Sequence, residues 1–157
     1  MELLEKALPY RFMSTFQHSI DLPASPAVVF DAFQDPAQLA KWWGPDGFTN
    51  SFEVFEFRPG GKWIFTMHGP DGTDYPNESE FLEIVPNSLV RLRHTVLPLF
   101  EVTISLEVTE SGTLVTWVGV FEDEAFAEKM RDFLKSANEQ NLRRLATVVG
   151  EAEKHKA

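Results

Sequence analysis

The sequence predicts an α+β fold in which a curved antiparallel sheet of about seven strands wraps around a long C-terminal helix, with two short helices between strands 1 and 2. Three observations predict it. Between residues 51 and 121 apolar side chains recur with period two, and turn sequences interrupt them at Arg58-Pro59-Gly60-Gly61, Gly69-Pro70-Asp71-Gly72, Pro86-Asn87-Ser88 and Glu110-Ser111-Gly112. From residue 123 to about 149 the spacing changes to three and four. Before the meander stand two proline-headed caps, Ser25-Pro26 and Asp35-Pro36. With 157 residues, 43% hydrophobic and 13% aromatic, the chain can fill one core. A single domain over residues 1–157 is expected, its core at about 12–149 and a charged tail at 151–157.

The first strand reads from residue 11 to 22, with Phe16, Ile20 and Leu22 at even spacing, and stops at Pro23. Ser25 and Asp35 are N-cap residues, and Gln38 is placed to complete a capping box. The first short helix carries Val29, Phe30 and Phe33, and the second ends in Trp42-Trp43, where Gly44-Pro45 stops it. Six strands follow, over about 52–57, 62–68, 77–85, 89–96, 100–109 and 113–121. The clearest alternation sets Phe100, Val102, Ile104, Leu106 and Val108 against Glu101, Thr103, Ser105, Glu107 and Thr109, a half-buried strand with one wet face. By the same rule Trp63, Phe65 and Met67 share a face, as do Val115, Trp117, Gly119 and Phe121. The last helix is capped by Asp123 and closed by Gly150; Phe126, Met130, Phe133, Ala137, Asn141, Leu145 and Val148 turn one stripe toward the sheet.

Composition removes several functional classes. Fourteen Lys and Arg against twenty-four Asp and Glu give a net charge of −10, which repels phosphate backbones and anionic lipid heads, so neither nucleic acid nor membrane is expected as a partner. No apolar run is long enough to span a bilayer, and the first residues lack the pattern of a signal peptide. A cytoplasmic protein is expected. The chain has no cysteine, and its four histidines, at 18, 68, 94 and 155, form no HxH or HExxH spacing, so no metal or other cofactor is expected. Gly60-Gly61 joins two strands without a following helix and is a turn rather than a phosphate cradle. A G-x-S-x-G elbow is absent and Ser105 lies on a wet face, so the sequence gives serine nucleophile chemistry no support.

The segment Lys41-Trp42-Trp43-Gly44-Pro45-Asp46-Gly47-Phe48 is the strongest local signal, because adjacent tryptophans carry several hundred Å² of apolar surface that must be covered, at roughly 150–250 Å² per ring. With Asp35-Pro36 before it, and with Phe57-Arg58-Pro59-Gly60-Gly61-Lys62-Trp63, Gly69-Pro70-Asp71-Gly72 and Glu83-Ile84-Val85-Pro86 after it, it resembles the homologues of the activator of the 90-kilodalton heat-shock protein's ATPase. These are members of the START-like (SRPBCC) helix-grip superfamily. The resemblance runs from about residue 12 to 149. It implies a cavity more strongly than a reaction, since the superfamily includes hydrophobic-ligand carriers, polyketide cyclases and aromatases, hormone-binding proteins and a co-chaperone domain.

Residues expected to bind a ligand between sheet and helix are Trp43, Phe48, Trp63, Phe65, Met67, Phe81, Trp117, Met130 and Phe133, with His94 and Asn141 as polar contributors. Taken singly, each apolar member reads first as core, because aromatic stripes normally close-pack. As a set, large rings on both a concave sheet and its covering helix are hard to interdigitate without gaps, and Met adapts to a ligand's shape. His94 alternates with Val90 and Leu92 and so points inward, where it either finds a partner or serves as acid or base. Asn141 interrupts the apolar stripe and either orients a ligand's polar group or bonds to a neighbouring segment. Glu80 and Glu83 matter only if they reach a pocket, and His68 is expected to be solvated. Three functions stay open: binding of a small hydrophobic or aromatic molecule, which is preferred; a cyclase-like enzyme using His94; and a domain that docks on a chaperone. A homodimer stays open as well.

Overall fold

A computed structural model describes residues 14–156. The chain forms β1 (Thr15–Leu22), α1 (Pro26–Gln34), α2 (Pro36–Trp42), β2 (Thr49–Phe55), β3 (Lys62–His68), β4 (Asp74–Val85), β5 (Leu89–His94), β6 (Phe100–Val108), β7 (Thr113–Phe121), α3 (Glu124–Lys129) and α4 (Arg131–Lys156). All seven strands form one curved antiparallel sheet in the order β1-β7-β6-β5-β4-β3-β2. The meander from β2 to β7 pairs each strand with its predecessor, and β1 closes against β7. No helix among the described residues is long and apolar enough to cross a membrane.

The caps act as their residue types require. Ser25 Oγ accepts from the Val28 N–H at 3.3 Å, and Asp35 Oδ1 accepts from the Ala37 N–H at 3.0 Å. Gln38 does not reach back to the backbone; its Nε2 donates to Asp35 Oδ2 at 3.3 Å. Between them α1 and α2 bury Val29, Phe30, Phe33, Leu39 and Trp42 against the concave face of the sheet.

Two bulges set which side chains face the core. On β2 the pairing steps from Phe52↔Phe65 to Val54↔Ile64, leaving Glu53 extra. The side-chain parity therefore changes, and Phe52 and Phe55 both pack on the core. On β4 it steps from Phe81↔Leu92 to Glu83↔Arg91. Phe81 is buried before the bulge and Ile84 packs on the core after it, while Glu83 meets Arg91 at 3.2 Å on the outer face. A strict period of two would have pointed Glu83 inward.

Element ends depart from expectation where side-chain alternation is silent. Residues 11–13 of the expected first strand lie outside the described residues. β2 begins at Thr49, and β4 begins at Asp74 and runs through Pro76. Proline is tolerated there because the β5 register reaches only to Ser79, so Pro76 has no ladder partner on that side to deprive. The C-terminal helix is two helices, broken at Met130 (φ −98°, ψ 8°). Nor does Gly150 stop α4, which continues to Lys156; a Cβ at Gly150 would meet nothing, and a helix can tolerate glycine at a cost of about 1 kcal/mol.

The burial pattern along α4 positions the site. Asn141, Leu142, Leu145 and Val149 are buried, whereas from Arg131 to Gln140 every residue is half-buried or exposed. The C-terminal half packs down; the N-terminal half stands off the sheet.

Candidate functional site

Beneath that raised half of α4 lies a cavity of about 570 Å³, a volume suited to a small organic molecule. Its deep wall is aromatic. Trp43 and Trp117 lie 5.2 Å apart between ring centres and both face it, each almost wholly shielded from solvent. Phe100, Phe121 and Val102 continue the wall along β6 and β7. Gly119 lies between Trp117 and Phe121 on β7, and a Cβ there would meet no atom within 4 Å, so the glycine holds space open. At the mouth stand Tyr75, Leu97 and Phe133, with 44%, 84% and 58% of their surface exposed.

Of the residues expected from the sequence, Trp43, Phe48, Met67, His94, Trp117, Met130, Phe133 and Asn141 line this cavity. Trp63, Phe65 and Phe81 do not line it. They are buried side by side under the other end of the sheet, Trp63 stacked on Phe65 at 4.1 Å and parallel to Phe81 at 5.9 Å. Alternation assigned Trp63, Phe65 and Met67 to the correct face, but α1 and α2 cover one end of it and only Met67 reaches the open end. Phe100, Phe121 and Phe126 were missed for the same reason: their inward placement was visible, but the uncovered end was not. Tyr75 was missed because it precedes residue 77, where the strand was expected to begin.

His94 is buried, stacked on Phe100 at 4.6 Å, with Nδ1 2.7 Å from the Pro98 carbonyl oxygen and Nε2 2.8 Å from Asn77 Oδ1. The Asn77 Nδ2 in turn donates to the Tyr75 carbonyl at 2.9 Å. Both ring nitrogens thus face protein oxygens, and a neutral ring can donate to only one of them. Asn141 is committed to the protein: Oδ1 accepts from the Gly44 N–H at 3.3 Å and Nδ2 donates to the Trp42 carbonyl at 2.8 Å. Of its two readings from sequence, the bond to a neighbouring segment is the one realised. Glu80 and Glu83 pair with Arg93 and Arg91 on the outer face, away from the cavity.

Arg144, which carries no signal in the sequence, organises the wall. Its Nη1 donates to the carbonyls of Trp43, Gly44 and Pro45 at 3.3, 2.7 and 2.8 Å, and its Nη2 to those of Lys41 and Phe48, both at 2.8 Å. Gln140 Oε1 accepts from the Asp46 N–H at 3.0 Å. Residues 43–48 therefore hang from α4 by Gln140, Asn141 and Arg144, which lie within about one turn of each other. Gly44 is required at the turn: its φ is +99°, and a Cβ would lie 2.7 Å from Met67 Cε. Burial pulls the Arg144 guanidinium below its ordinary value, opposed by nearby Asp46. One cation is solvated by five carbonyls instead of a carboxylate.

Among the described residues no three His, Asp or Glu side chains converge as a metal site. The fold and its cavity define a START-like, helix-grip domain. Residues 23–150 match the family described as activator of Hsp90 ATPase homolog 1-like protein, and the chain belongs to it. A solution structure of a protein from Arthrobacter aurescens is 26% identical, with a TM-score of 0.82 over 89% of this chain and 88% of its own. A crystal structure of a protein from Chromobacterium violaceum is 27% identical, with a TM-score of 0.76 over 87% of this chain and 97% of its own. One from Nitrosomonas europaea, 20% identical with a TM-score of 0.80 over 89% and 96%, shares the fold. No match is found among curated proteins.

Proposed function

We propose that this protein binds a small hydrophobic or aromatic molecule in the cavity between the sheet and α4, in the cytoplasm. The observation that carries the reading is an apolar cavity of about 570 Å³ whose shape is fixed from behind by paired tryptophans and a glycine. Apolar surface deposited there is worth about 25 cal/mol per Å². Because His94 and Asn141 turn their polar atoms to the protein, the ligand's polar end falls to Asn138 and Tyr75, which also line the cavity. The same engagement of His94 favours binding over acid–base catalysis, since either ring nitrogen would have to leave its partner to meet a substrate.

A thermal-shift screen against fatty acids, sterols, flavonoids and aromatic polyketides tests this. A ligand at about a hundred times its dissociation constant adds roughly 2.7 kcal/mol, which raises the midpoint by several degrees in a domain of this size. Gly119→Leu is the control: its side chain enters open space on an ordinary strand backbone, so the variant folds with an undiminished midpoint and loses the ligand shift. Equal shifts in both proteins, or none across the panel, would reject the cavity as the binding site. Phe133→Ser, at the exposed mouth, should change stability by less than about 0.5 kcal/mol yet weaken the same ligand, as read by quenching of Trp43 and Trp117 fluorescence.

A further inference from the structure

The convex face of the sheet carries a second arrangement, on the opposite side from the cavity. Ser51 Oγ lies 2.7 Å from His68 Nε2, and His68 Nδ1 lies 2.7 Å from Asp74 Oδ1. The three residues sit on adjacent strands. Thr49 faces His68 across β2 and β3, His68 faces Asp74 across β3 and β4, and Ser51 is two positions beyond Thr49 on the same face. Parity puts this row opposite Trp63, Phe65 and Met67. Ser51 and Asp74 are exposed and His68 is half-buried, so reagents reach all three.

The order of atoms matters more than the proximity. A carboxylate on Nδ1 fixes the tautomer that carries its proton there, which leaves Nε2 as acceptor for the serine hydroxyl. That is the geometry of an activated nucleophile, its base and the group that orients the base. β2 is the terminal strand of the sheet among the described residues, so its outer edge carries backbone N–H groups that no neighbouring strand pairs, within a residue of Ser51, as donors to a developing oxyanion. The row lies open at the surface, with 35% of the His68 side chain and 62% of the Asp74 side chain exposed, which restricts it to electrophiles that need little binding.

We propose that Ser51, His68 and Asp74 form a surface acyl-transfer site for small activated esters, with Ser51 as nucleophile, His68 as general base and Asp74 as a positioning residue. Ser51 Oγ attacks the ester carbonyl while its proton passes to His68 Nε2. The bond to the aryl oxygen breaks, and His68 returns the proton to that leaving group. Water then attacks the acyl-serine by the same route, releasing carboxylic acid and free Ser51. The net reaction is ester plus water giving acid plus alcohol.

The test uses the full chain with p-nitrophenyl acetate and, separately, an aryl fluorophosphonate, followed by intact mass and peptide mapping. Expected is one adduct on Ser51, absent in Ser51→Ala and formed at least 100-fold more slowly in His68→Ala, in line with general-base contributions. Asp74→Asn slows labelling and Asp74→Glu recovers part of the rate, all at an unchanged thermal midpoint because these side chains lie outside the core. Labelling of Ser51 at the same rate in His68→Ala, or an adduct only on other residues, would overturn the proposal. Labelling that disappears with Gly119→Leu would place the reaction in the cavity and overturn it equally.

Discussion

Trp42→Ala should destabilise the fold by about 3–5 kcal/mol, the range for removing a fully buried large ring. Trp42 has no exposed surface. Its ring meets Phe33 at 5.0 Å, Trp43 at 5.5 Å and Trp117 at 6.4 Å, and its Nε1–H donates to the Ala32 carbonyl at 2.9 Å. It thus ties α1, α2 and the cavity wall into one unit. At roughly 2–4 °C per kcal/mol for a domain of this size, the midpoint should fall by roughly 6–20 °C in a thermal melt. Trp42→Phe keeps a ring but strands the Ala32 carbonyl. Trp63 provides the contrast, since its buried Nε1–H has no acceptor among the described residues, so Trp63→Phe abandons no hydrogen bond there and should cost less than Trp42→Phe. Equal losses at the two positions would show that packing alone, without the Trp42 hydrogen bond, holds the wall.

Arg144→Met should destabilise by about 2–4 kcal/mol, because a methionine keeps the apolar stem but leaves five carbonyls without their common donor. The discount for partial exposure is already in that range, since water can reach some of those oxygens. Arg144→Lys should recover little, as an ammonium cannot span carbonyls from Lys41 to Phe48 with a planar fork. The effect on binding separates this from general destabilisation. Residues 43–48 form part of the cavity wall, so ligand affinity should fall about tenfold or more, equivalent to roughly 1.4 kcal/mol, at temperatures where the variant is still fully folded. Affinity unchanged in a folded Arg144→Met would mean that the segment keeps its position through Asn141, Gln140 and Asn50 alone.

Asn50 is a fourth strap on this segment, its Nδ2 donating to the carbonyls of Ala40 and Trp43 at 3.0 and 2.9 Å. Apart from Asn141, none of these straps has a local sequence signature. Arg144 reads as one more charge on a helix, and Gln140 and Asn50 as surface amides. What was legible at this site was the need for it: a Trp-Trp pair followed by two glycines must be covered and turned sharply. Asn141 was legible as an anomaly, a polar residue within an apolar stripe, although its partner was not.

The triad-like row on the convex face shows the same boundary in another form. His68 reads as a solvated residue beside a turn, and that remains true of its exposure. What the linear reading lacks is register: Ser51 and His68 meet only because β2 starts at Thr49 and pairs it with His68. Asp74 joins because β4 starts ahead of Pro76, three residues before the alternating pattern becomes visible.

By itself the sequence determined the element order, the meander, the inward faces of β3, β6 and β7, and the family, because turns, caps and two-fold or 3.6-fold periodicity are local properties that neighbouring residues encode. It also determined that a large aromatic surface would face a covering helix. The tertiary structure alone decided where that helix touches. The first ten residues of α4 stand off, so Met67, Trp117 and Phe133 border empty space while Trp63, Phe65 and Phe81, on the same face, close-pack beneath α1 and α2. It alone decided the bulges at Glu53 and Leu82, which invert parity midway along two strands. Both depend on which distant surfaces meet and in what register, and spacing along the chain does not carry that information.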